Sequence, residues 1–248
     1  MTPNHMLSIV WPTTVLKTFI ESVSAIQEEV KIIFKQDGLF ANVIDSAHVC
    51  FIGIEIPSER FDAYEVNENV VIPIEIAHLA SIYKISQKNP VKMIWNEAEN
   101  GGMVRFEVGG IIKSARLLSA DTISEMNMPK IEPPIKMRVK TEEYNLGVSA
   151  VADVSGLLQM CFEEGKPVMR SDGNGDSVQM TFENDVEIVE GSSDDAMTRL
   201  SVEYLKKVSK GLGDSLLVHM GNHQPLKIES KNEGCSFTWL VAPRIDNE

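Results

Sequence analysis

Cysteine is scarce in this chain, and the three cysteines lie far apart. Cys50, Cys161 and Cys235 form neither a Cys-x-x-Cys pair nor a Cys/His cluster, so we expect no zinc site and no other metal. An odd number of widely spaced cysteines in apolar, strand-like surroundings is typical of reduced core residues in a cytoplasmic protein.

Long apolar runs and basic residues are also in short supply. No run of about 18 apolar residues exists, so we expect no membrane span, and residues 1–5 lack the basic and apolar regions of a signal peptide. The chain has 23 basic and 36 acidic side chains, a formal charge of −13, which taken alone argues against nucleic-acid binding. With 248 residues, 43% of them hydrophobic, it has room for one large domain or two ordinary ones.

Motifs for catalysis are missing as well. The five histidines belong to no recognisable triad or metal pattern; they are His5, His48, His78, His219 and His223. The chain has no Gly-x-Ser-x-Gly and no glycine-rich phosphate loop followed by Lys-Ser/Thr. We therefore expect neither an enzyme nor a cofactor.

What is present is a similar order of elements in both halves. In the first half, an apolar stripe predicts a helix over 15–26, capped by Thr13 or Thr14, and a second helix is predicted over 75–87. Strands are predicted at 30–34, 38–43, 49–56, 91–95, 103–108 and 111–118, with turns at 36–38 and 99–102.

The second half repeats this order by pattern, although not letter by letter. Helices are predicted over 142–154 and 202–210, the latter ending at Gly211 as its C-cap. Strands are predicted at 157–162, 167–170, 178–182, 186–189, 215–220, 226–229 and 236–241.

Residues 119–134 separate the two halves. Three prolines and the lack of periodicity predict an extended linker. Met126, Met128 and Ile131 are apolar residues in an otherwise polar strip. The segment is either a passive connector or a docking surface, for which the adaptable methionine side chain is well suited.

One acidic motif mimics a calcium-binding loop. Asp172-Gly-Asn174-Gly-Asp176, with Glu183 eleven residues after Asp172, follows the spacing of an EF-hand. The sixth position is Ser177, where such a loop requires glycine, and the residues that follow alternate as in a strand. The pattern favours a polar hairpin turn, with a calcium- or small-molecule-binding protein as the alternative of another class.

Four stretches resemble, in the right order, the sliding clamps of the proliferating cell nuclear antigen (PCNA) family, the archaeal members most closely. They are Val43-Ile44-Asp45-Ser46-Ala47-His48-Val49, Met126-Asn127-Met128-Pro129, Tyr204-Leu205-Lys206-Lys207-Val208-Ser209-Lys210-Gly211-Leu212, and Phe237-Thr238-Trp239-Leu240-Val241-Ala242-Pro243-Arg244-Ile245 before an acidic end. The resemblance runs from about Met6 to Glu248.

This resemblance implies an α+β fold, the DNA-clamp fold. Two similar domains, 1–118 and 135–248, would each carry two helices packed on antiparallel sheets, joined by the connecting loop 119–134. Three subunits would close head to tail into a ring through edge strands at about 111–118 and 177–182. The protein would be cytoplasmic and nucleoid-associated in an archaeon, or nuclear in a eukaryote.

The implied function is that of a processivity factor that encircles duplex DNA without reading its sequence. The implied partners are DNA polymerase, flap endonuclease, DNA ligase and a clamp loader of the replication factor C type. No catalysis and no cofactor are implied. A clamp-like subunit of a mixed or checkpoint-type ring is the alternative within this class.

The family's DNA-facing helices carry over to the four predicted helices. Their net charges are 0 for 15–26, +1 for 75–88, −3 for 142–154 and +2 for 202–210, so this wall is depleted of acid relative to the whole chain. The third helix has no basic residue, which departs from the family pattern. The residues expected to contact DNA are Lys17, Lys84, Lys88, Lys206, Lys207 and Lys210.

The family's client-docking pocket carries over position by position. Clients of this family insert a short helical turn with apolar and aromatic anchors. The expected partner-binding residues are Ile44, His48, Val49, Met126, Met128, Pro129, Pro225, Leu240, Ala242, Pro243, Arg244 and Ile245. Ordinary core packing is the alternative interpretation for Ile44, Val49 and Leu240.

Overall fold

The computed structural model describes residues 6–100, 102–123, 126–183, 186–191 and 195–244. Its helices are α1 (Thr13–Ser24), α2 (Ile76–Ser86), α3 (Glu97–Asn100), α4 (Thr141–Ala152) and α5 (Val202–Val208), with 3₁₀ turns at Ser58–Arg60 and Ala120–Thr122. The strands of the first half are β1 (Met6–Trp11), β2 (Glu29–Lys35), β3 (Gly38–Ile44), β4 (Cys50–Pro57), β5 (Ala63–Val66), β6 (Val70–Glu75), β7 (Val91–Asn96), β8 (Met103–Val108) and β9 (Ile111–Arg116). Those of the second half are β10 (Ile135–Lys140), β11 (Leu157–Glu163), β12 (Lys166–Gly173), β13 (Asp176–Thr181), β14 (Glu187–Glu190), β15 (Ala196–Ser201), β16 (Ser215–Met220), β17 (Leu226–Asn232) and β18 (Cys235–Val241).

The chain divides into two compact units. The first contains the described residues of 6–44, 53–128 and 233–236, and the second those of 45–52, 129–232 and 237–244. Within the described residues, each half of the sequence supplies nine strands and a pair of longer helices, in the order strand, helix, strands, helix, three strands. The repeated order that the sequence predicts is therefore confirmed.

In the first unit, one sheet has the strand order β5-β1-β7-β8-β9, and another contains the order β4-β3-β2-β6. Residues 50–52 of β4 belong to the second unit. Helix α1 buries Val15, Leu16, Phe19 and Val23, the apolar stripe that predicted it. The ring of Trp11 on β1 lies 5.6 Å from that of Phe19, which fixes the helix against the sheet.

In the second unit, the strand order is β13-β12-β11-β15 in one sheet and β14-β10-β16-β17-β18 in the other layer. Helix α4 packs closely on the first of these sheets at Gly147, where an added Cβ would lie 2.6 Å from the sulfur of Met169. Tyr144 of the same helix is fully buried, and its hydroxyl donates to the backbone oxygen of Leu205 on α5 at 3.5 Å.

Two predicted helix caps are wrong. Thr13 is the first residue of α1 rather than its cap, the N-cap is Pro12 without a side-chain hydrogen bond, and the Leu16 N–H donates to the Pro12 oxygen at 3.0 Å. Helix α5 ends with Ser209 as its C-cap. Gly211 has a φ of 72°, so it serves the turn after the helix.

Several strands escape the sequence-based prediction, which names none at β1, β5, β6, β10 or β15. Strand β6 contains Pro73, which argues against a strand interior. The structure accommodates this proline because β6 lies at the end of its strand order, where one edge pairs with no other strand of the described residues. There the Pro73 oxygen accepts the Leu118 N–H at 2.9 Å. The turn predicted over 99–102 is wrong at its first two residues, which belong to the short helix α3, and Gly101 lies outside the described residues.

All three cysteines are free and buried, as the sequence predicts. Burial raises the pKa of the Cys50 thiol to about 12, and it raises those of Cys161 and Cys235 to about 11. These thiols are therefore protonated at neutral pH, so they act as small core side chains.

Gly38 provides a test of backbone fit in the first unit. Its φ is 151°, and an added Cβ would lie 2.3 Å from the backbone oxygen of Ile56. We expect Gly38→Ala to lower the free energy of unfolding by about 2 to 3 kcal/mol, measured as a shift of the urea midpoint. Gly102→Ala is the control, because nothing lies within 4 Å of its added Cβ. Equal shifts for the two variants would contradict this account.

Candidate nucleic-acid and partner interfaces

In the first unit, helices α1 and α2 pack side by side, and three of the six expected DNA contacts lie on them or just after α2. Lys17 lies on the exposed side of α1, opposite the buried stripe, and Lys84 is exposed in the last turn of α2. Lys88 is also exposed, but it follows the helix in a left-handed conformation with a φ of 74°. The Thr13 hydroxyl donates to its backbone oxygen at 3.5 Å, which joins the end of α2 to the start of α1.

In the second unit, helices α4 and α5 form the corresponding pair. Lys206 and Lys210 are exposed at α5 and just beyond it. On α4, the exposed positions Glu142, Leu146, Ser149 and Asp153 follow one another at helical spacing, from the helix into its C-cap. The Leu146 residue is 62% exposed, which is unusual for a large apolar side chain. This face of α4 therefore has acidic and apolar groups where α5 has lysines.

The six expected lysines differ in whether an acidic side chain already forms an ion pair with them. The Lys17 ammonium lies 3.7 Å from the Glu21 carboxylate, and that of Lys207 lies 3.0 Å from Glu203. Lys207 also lies 4.7 Å from the centre of the Tyr204 ring and is half-buried. In the described part of the chain, no carboxylate forms an ion pair with Lys84, Lys88, Lys206 or Lys210. Of the six expected lysines, these four have the ammonium groups that are most available to a phosphate.

The segment Asp45–Cys50 of the second unit folds around the carboxylate of Asp45. Its Oδ1 accepts the backbone N–H groups of Val49 at 2.8 Å and Cys50 at 2.6 Å. Its Oδ2 accepts the N–H of Ala47 at 3.1 Å and the hydroxyl of Tyr204 on α5 at 2.9 Å. We call this segment the Asp45 turn. Four donors on one buried carboxylate fix the backbone that presents His48 and Val49.

Near neutral pH, electrostatics keeps Asp45 ionised and Tyr204 protonated in the Asp45 turn. Burial opposes ionisation of Asp45, but the hydrogen bonds from Cys50, Tyr204, Val49 and Ala47 outweigh it and lower its pKa. Burial, with the adjacent Asp45 carboxylate, raises the pKa of Tyr204 to about 12. Tyr204 therefore acts as the donor and Asp45 as the charged acceptor. His48 is exposed at the tip of the turn, with a φ of 57°.

The chain that follows β18 is tied to this turn within the second unit. The Ala242 N–H donates to the Val49 oxygen at 2.8 Å, and the Arg244 N–H donates to the backbone oxygen of Arg199 at 2.7 Å. Ala242 and Pro243 are half-buried and Arg244 is exposed. Leu240 is 5% exposed, which supports core packing there, and Pro225 is half-buried. Ile245 lies outside the described residues.

The remaining expected partner residues lie at the linker and the end of β3. In the first unit, the Met126 oxygen accepts the side-chain N–H of Asn42 at 3.0 Å, and the Ile44 oxygen accepts that of Gln27 at 3.2 Å. Met126, Met128 and Ile44 are all half-buried, whereas Pro129 at the start of the second unit is exposed. Residues 126–134 form no helix or strand, as predicted for an extended linker.

The end of the linker is anchored in the second unit by a buried lysine. The Lys227 ammonium on β17 lies 3.0 Å from the Glu132 carboxylate and 2.9 Å from that of Glu229. Beside it, His219 is 3% exposed, and its Nε2 lies 3.6 Å from Glu229. Burial lowers the pKa of His219, and it outweighs the opposing charges of Glu229 and Glu132; Lys227 and Lys136 lower it further. His219 is therefore neutral when the chain is folded near pH 7.

The sequence that mimics a calcium loop forms a hairpin, as the pattern favours. Strands β12 and β13 pair Asp172 with Ser177 and Gly173 with Asp176, leaving Asn174 and Gly175 as the turn. Their φ values of 50° and 93° fit a two-residue hairpin turn. Among the described residues, no group of three or more His, Cys, Asp or Glu side chains is placed to hold a metal ion. No helix in the described ranges is long and apolar enough to cross a membrane.

Comparison with known proteins identifies what this arrangement resembles. Residues 8–114 match the family described as "Proliferating cell nuclear antigen, N-terminal domain". The DNA polymerase sliding clamp of Archaeoglobus fulgidus is 27% identical, over 98% of this chain and all of that protein. The resemblance is to the PCNA family of sliding clamps. The recognition made from the sequence motifs is thus confirmed.

Other archaeal proteins and solved structures agree with this assignment. The sliding clamp of Methanosarcina mazei is 26% identical, over 94% of this chain and 96% of its own. The structure of A. fulgidus PCNA with the C-terminal region of FEN-1 matches with a TM-score of 0.88 and 24% identity, covering 98% of this chain and all of that one. PCNA from Thermococcus kodakaraensis gives a TM-score of 0.82 at 18% identity, covering 96% and 100%. The predicted two-part α+β clamp fold is confirmed by these matches.

Asp45 and Tyr204 lie within the PCNA-like motifs, but the motifs indicate no role for either residue. An aspartate that accepts the backbone N–H two residues later is a known turn signal, so the bond from Ala47 to Asp45 is the part of this turn that a local pattern can predict. Tyr204 is 159 residues further along the chain, and no local pattern indicates that its hydroxyl reaches Asp45.

The buried histidine beside the linker anchor predicts a pH dependence. The pKa of His219 is lower in the folded chain than in the unfolded chain, where it is about 6.5. Below that pH the unfolded chain takes up a proton that the folded chain does not, so the free energy of unfolding falls. Between pH 7.5 and 5.5, we expect His219→Gln to lose less unfolding free energy than the wild type, measured by urea titration at each pH. His223→Gln, at an exposed position, serves as control. The same pH dependence in wild type and His219→Gln would refute this role.

Proposed function

We propose that this protein is a sliding clamp that encircles duplex DNA and tethers DNA polymerase as a processivity factor. The observation that carries the proposal is its similarity, over 98% of its length, to an archaeal DNA polymerase sliding clamp. The paired helices with exposed lysines in both units support it. The role requires binding and topology alone, so we propose no catalysis and no cofactor.

Ring closure would use edge strands, with domains at 1–118 and 135–248 joined by the loop 119–134. Strands β9 and β13 each lie at one end of their sheet, as closure by strand pairing requires. Strand β9 exposes Ile111 and Ile112, at 46% and 60%, which supports its burial against another subunit. Because the two strands differ, the contact is heterologous, and three copies in head-to-tail order would close it.

The DNA contact would be weak and independent of sequence. Lys17, Lys84, Lys88, Lys206, Lys207 and Lys210 would approach phosphates, with Lys17 and Lys207 less available because of their acidic neighbours. The acidic face of α4 would repel the backbone, which lowers affinity. Salt screens each lysine contact, whereas encirclement does not depend on charge. A ring of this kind slides yet stays on the duplex.

In the second unit, client docking would occur at the Asp45 turn and the segment after β18. In the first unit, the linker methionines Met126 and Met128 are separate candidate contacts. Strand β18 ends at Val241, just before Ala242-Pro243. Because the Ala242 and Arg244 N–H groups already bond within the second unit, backbone carbonyl groups of this segment are the ones that would receive a client's chain. A related structure contains A. fulgidus PCNA with the C-terminal region of FEN-1, which supports a flap endonuclease as a client here. DNA polymerase, DNA ligase and an ATP-dependent clamp loader are the further partners that we propose.

A subunit of a mixed ring is the second candidate, and the acidic face of α4 favours it. A ring of three identical subunits would present this face three times, whereas a mixed ring would dilute it. Light scattering across a dilution series separates the two. A mass of three chains supports the self-closing ring, and a stable monomer or dimer supports the mixed one.

We expect charge reversal at Lys84 and Lys210 to shorten the products of primed synthesis by a DNA polymerase. Both ammonium groups are exposed without an acidic partner among the described residues, so their loss removes phosphate contacts directly. The matched control is reversal of Lys166, an exposed lysine at the start of β12. Unchanged product length, with the trimer mass retained, would remove Lys84 and Lys210 from the DNA wall.

We expect Met126→Ala together with Met128→Ala to weaken binding of a flap endonuclease peptide by at least about tenfold. Each substitution removes an adaptable apolar side chain from the proposed docking surface. Met103→Ala is the control, because Met103 is an exposed methionine on β8 outside that surface. Calorimetry gives the affinities, and undiminished binding by the double variant would show that the linker does not contact the client.

A further inference from the structure

Within the Asp45 turn, one donor differs in kind from the others. The N–H groups of Ala47, Val49 and Cys50 come from the turn's own backbone, whereas the fourth donor is the Tyr204 hydroxyl on α5. The turn closes on itself through further backbone bonds, with the Asp45 N–H donating to the Cys50 oxygen and the His48 N–H to the Asp45 oxygen, both at 3.0 Å. Tyr204 is therefore its tie to a neighbouring helix.

Loss of the Tyr204 hydroxyl would leave the carboxylate short of donors. Asp45 is 5% exposed, so solvent has little access to replace the missing hydrogen bond. Oδ2 would then keep the Ala47 N–H alone, at 3.1 Å, which is the longest of the four bonds. The ionised form would lose stabilisation, and the turn would lose the bond that orients it.

The effect reaches the proposed docking residues through a short path of hydrogen bonds. Val49 is held by Asp45 through its N–H, and its oxygen in turn accepts the Ala242 N–H at 2.8 Å. Tyr204, Asp45, Val49 and Ala242 thus form one continuous path within the second unit. The same tyrosine lies beside Lys207 on the helix that carries Lys206.

We infer that Tyr204 is a positioning residue for client docking, which holds the Asp45 turn in its binding shape from helix α5. The inference rests on the proposed docking function. The client-docking turn and the helix proposed to face DNA then share one hydrogen bond, from Tyr204 to Asp45. We therefore expect binding at one of the two surfaces to alter binding at the other.

The test compares full-length wild type with Tyr204→Phe, using a synthetic peptide from the C-terminal region of a flap endonuclease. We expect Tyr204→Phe to bind the peptide about threefold to tenfold more weakly. Removal of a donor raises the pKa of Asp45, and binding is lost when that carboxyl is protonated. As the pH is lowered, Tyr204→Phe should therefore lose the peptide at a higher pH than the wild type does. The carboxyl ¹³C shift of Asp45, followed against pH, reports the same change without the peptide.

Tyr83→Phe is the matched control, because Tyr83 is a half-buried tyrosine on α2 whose hydroxyl has no hydrogen-bond partner within the described residues. Should Tyr204→Phe fail to fold, Asp45→Asn supplies the readout, and its peptide affinity should lose the wild-type pH dependence. Equal affinity and an unchanged Asp45 pKa in Tyr204→Phe would overturn the inference while leaving docking intact. A wild-type protein that does not bind the peptide would overturn the docking proposal and the inference with it.

Discussion

Each helix of this fold must bury one face against a sheet, and that requirement decides which residues the other face can offer. In α1, the residues that pack on the sheet recur every three or four positions, so Lys17 and Glu21 fall outside. The same spacing in α5 buries Val202, Leu205 and Val208 and exposes Glu203 and Lys206. The spacing of the buried residues therefore leaves the lysines on the opposite face of each helix, where they can meet a ligand.

Acidity of the chain as a whole and affinity for a polyanion are compatible under this arrangement. The formal charge of −13 is spread over surfaces that need not meet DNA, whereas the exposed faces of α2 and α5 carry an excess of lysine. Acidic groups elsewhere help solubility and discourage adsorption of the outer surface to nucleic acid. Helix α4 does not follow this division, because Glu142 and Asp153 stand on its exposed side. Under the proposed function, these carboxylates would weaken the contact of this helix with a duplex.

Local patterns predict the four longer helices, most strands and the hairpin at Asn174-Gly175, because periodicity and turn chemistry are properties of neighbouring residues. The sequence does not predict strand β6, because a proline such as Pro73 disfavours a strand unless that strand lies at the edge of its sheet, which only the strand order shows. Threonine is a favoured N-cap residue, which predicts Thr13 at that position, yet the N-cap of α1 is Pro12. The lysines and docking residues came from family motifs, whereas the Tyr204–Asp45 bond and the burial of His219 against Lys227 depend on tertiary contacts that no local pattern encodes.

The buried thiols have a practical consequence. Because the pKa values of Cys50, Cys161 and Cys235 lie at about 11 to 12, almost no thiolate is present near pH 7.5, and all three sulfurs are shielded. A cysteine introduced on the surface would therefore be the dominant site for maleimide chemistry, with the native residues left in place. A single fluorophore or crosslinker could be attached to an otherwise unaltered chain, which makes the protein suited to single-molecule observation.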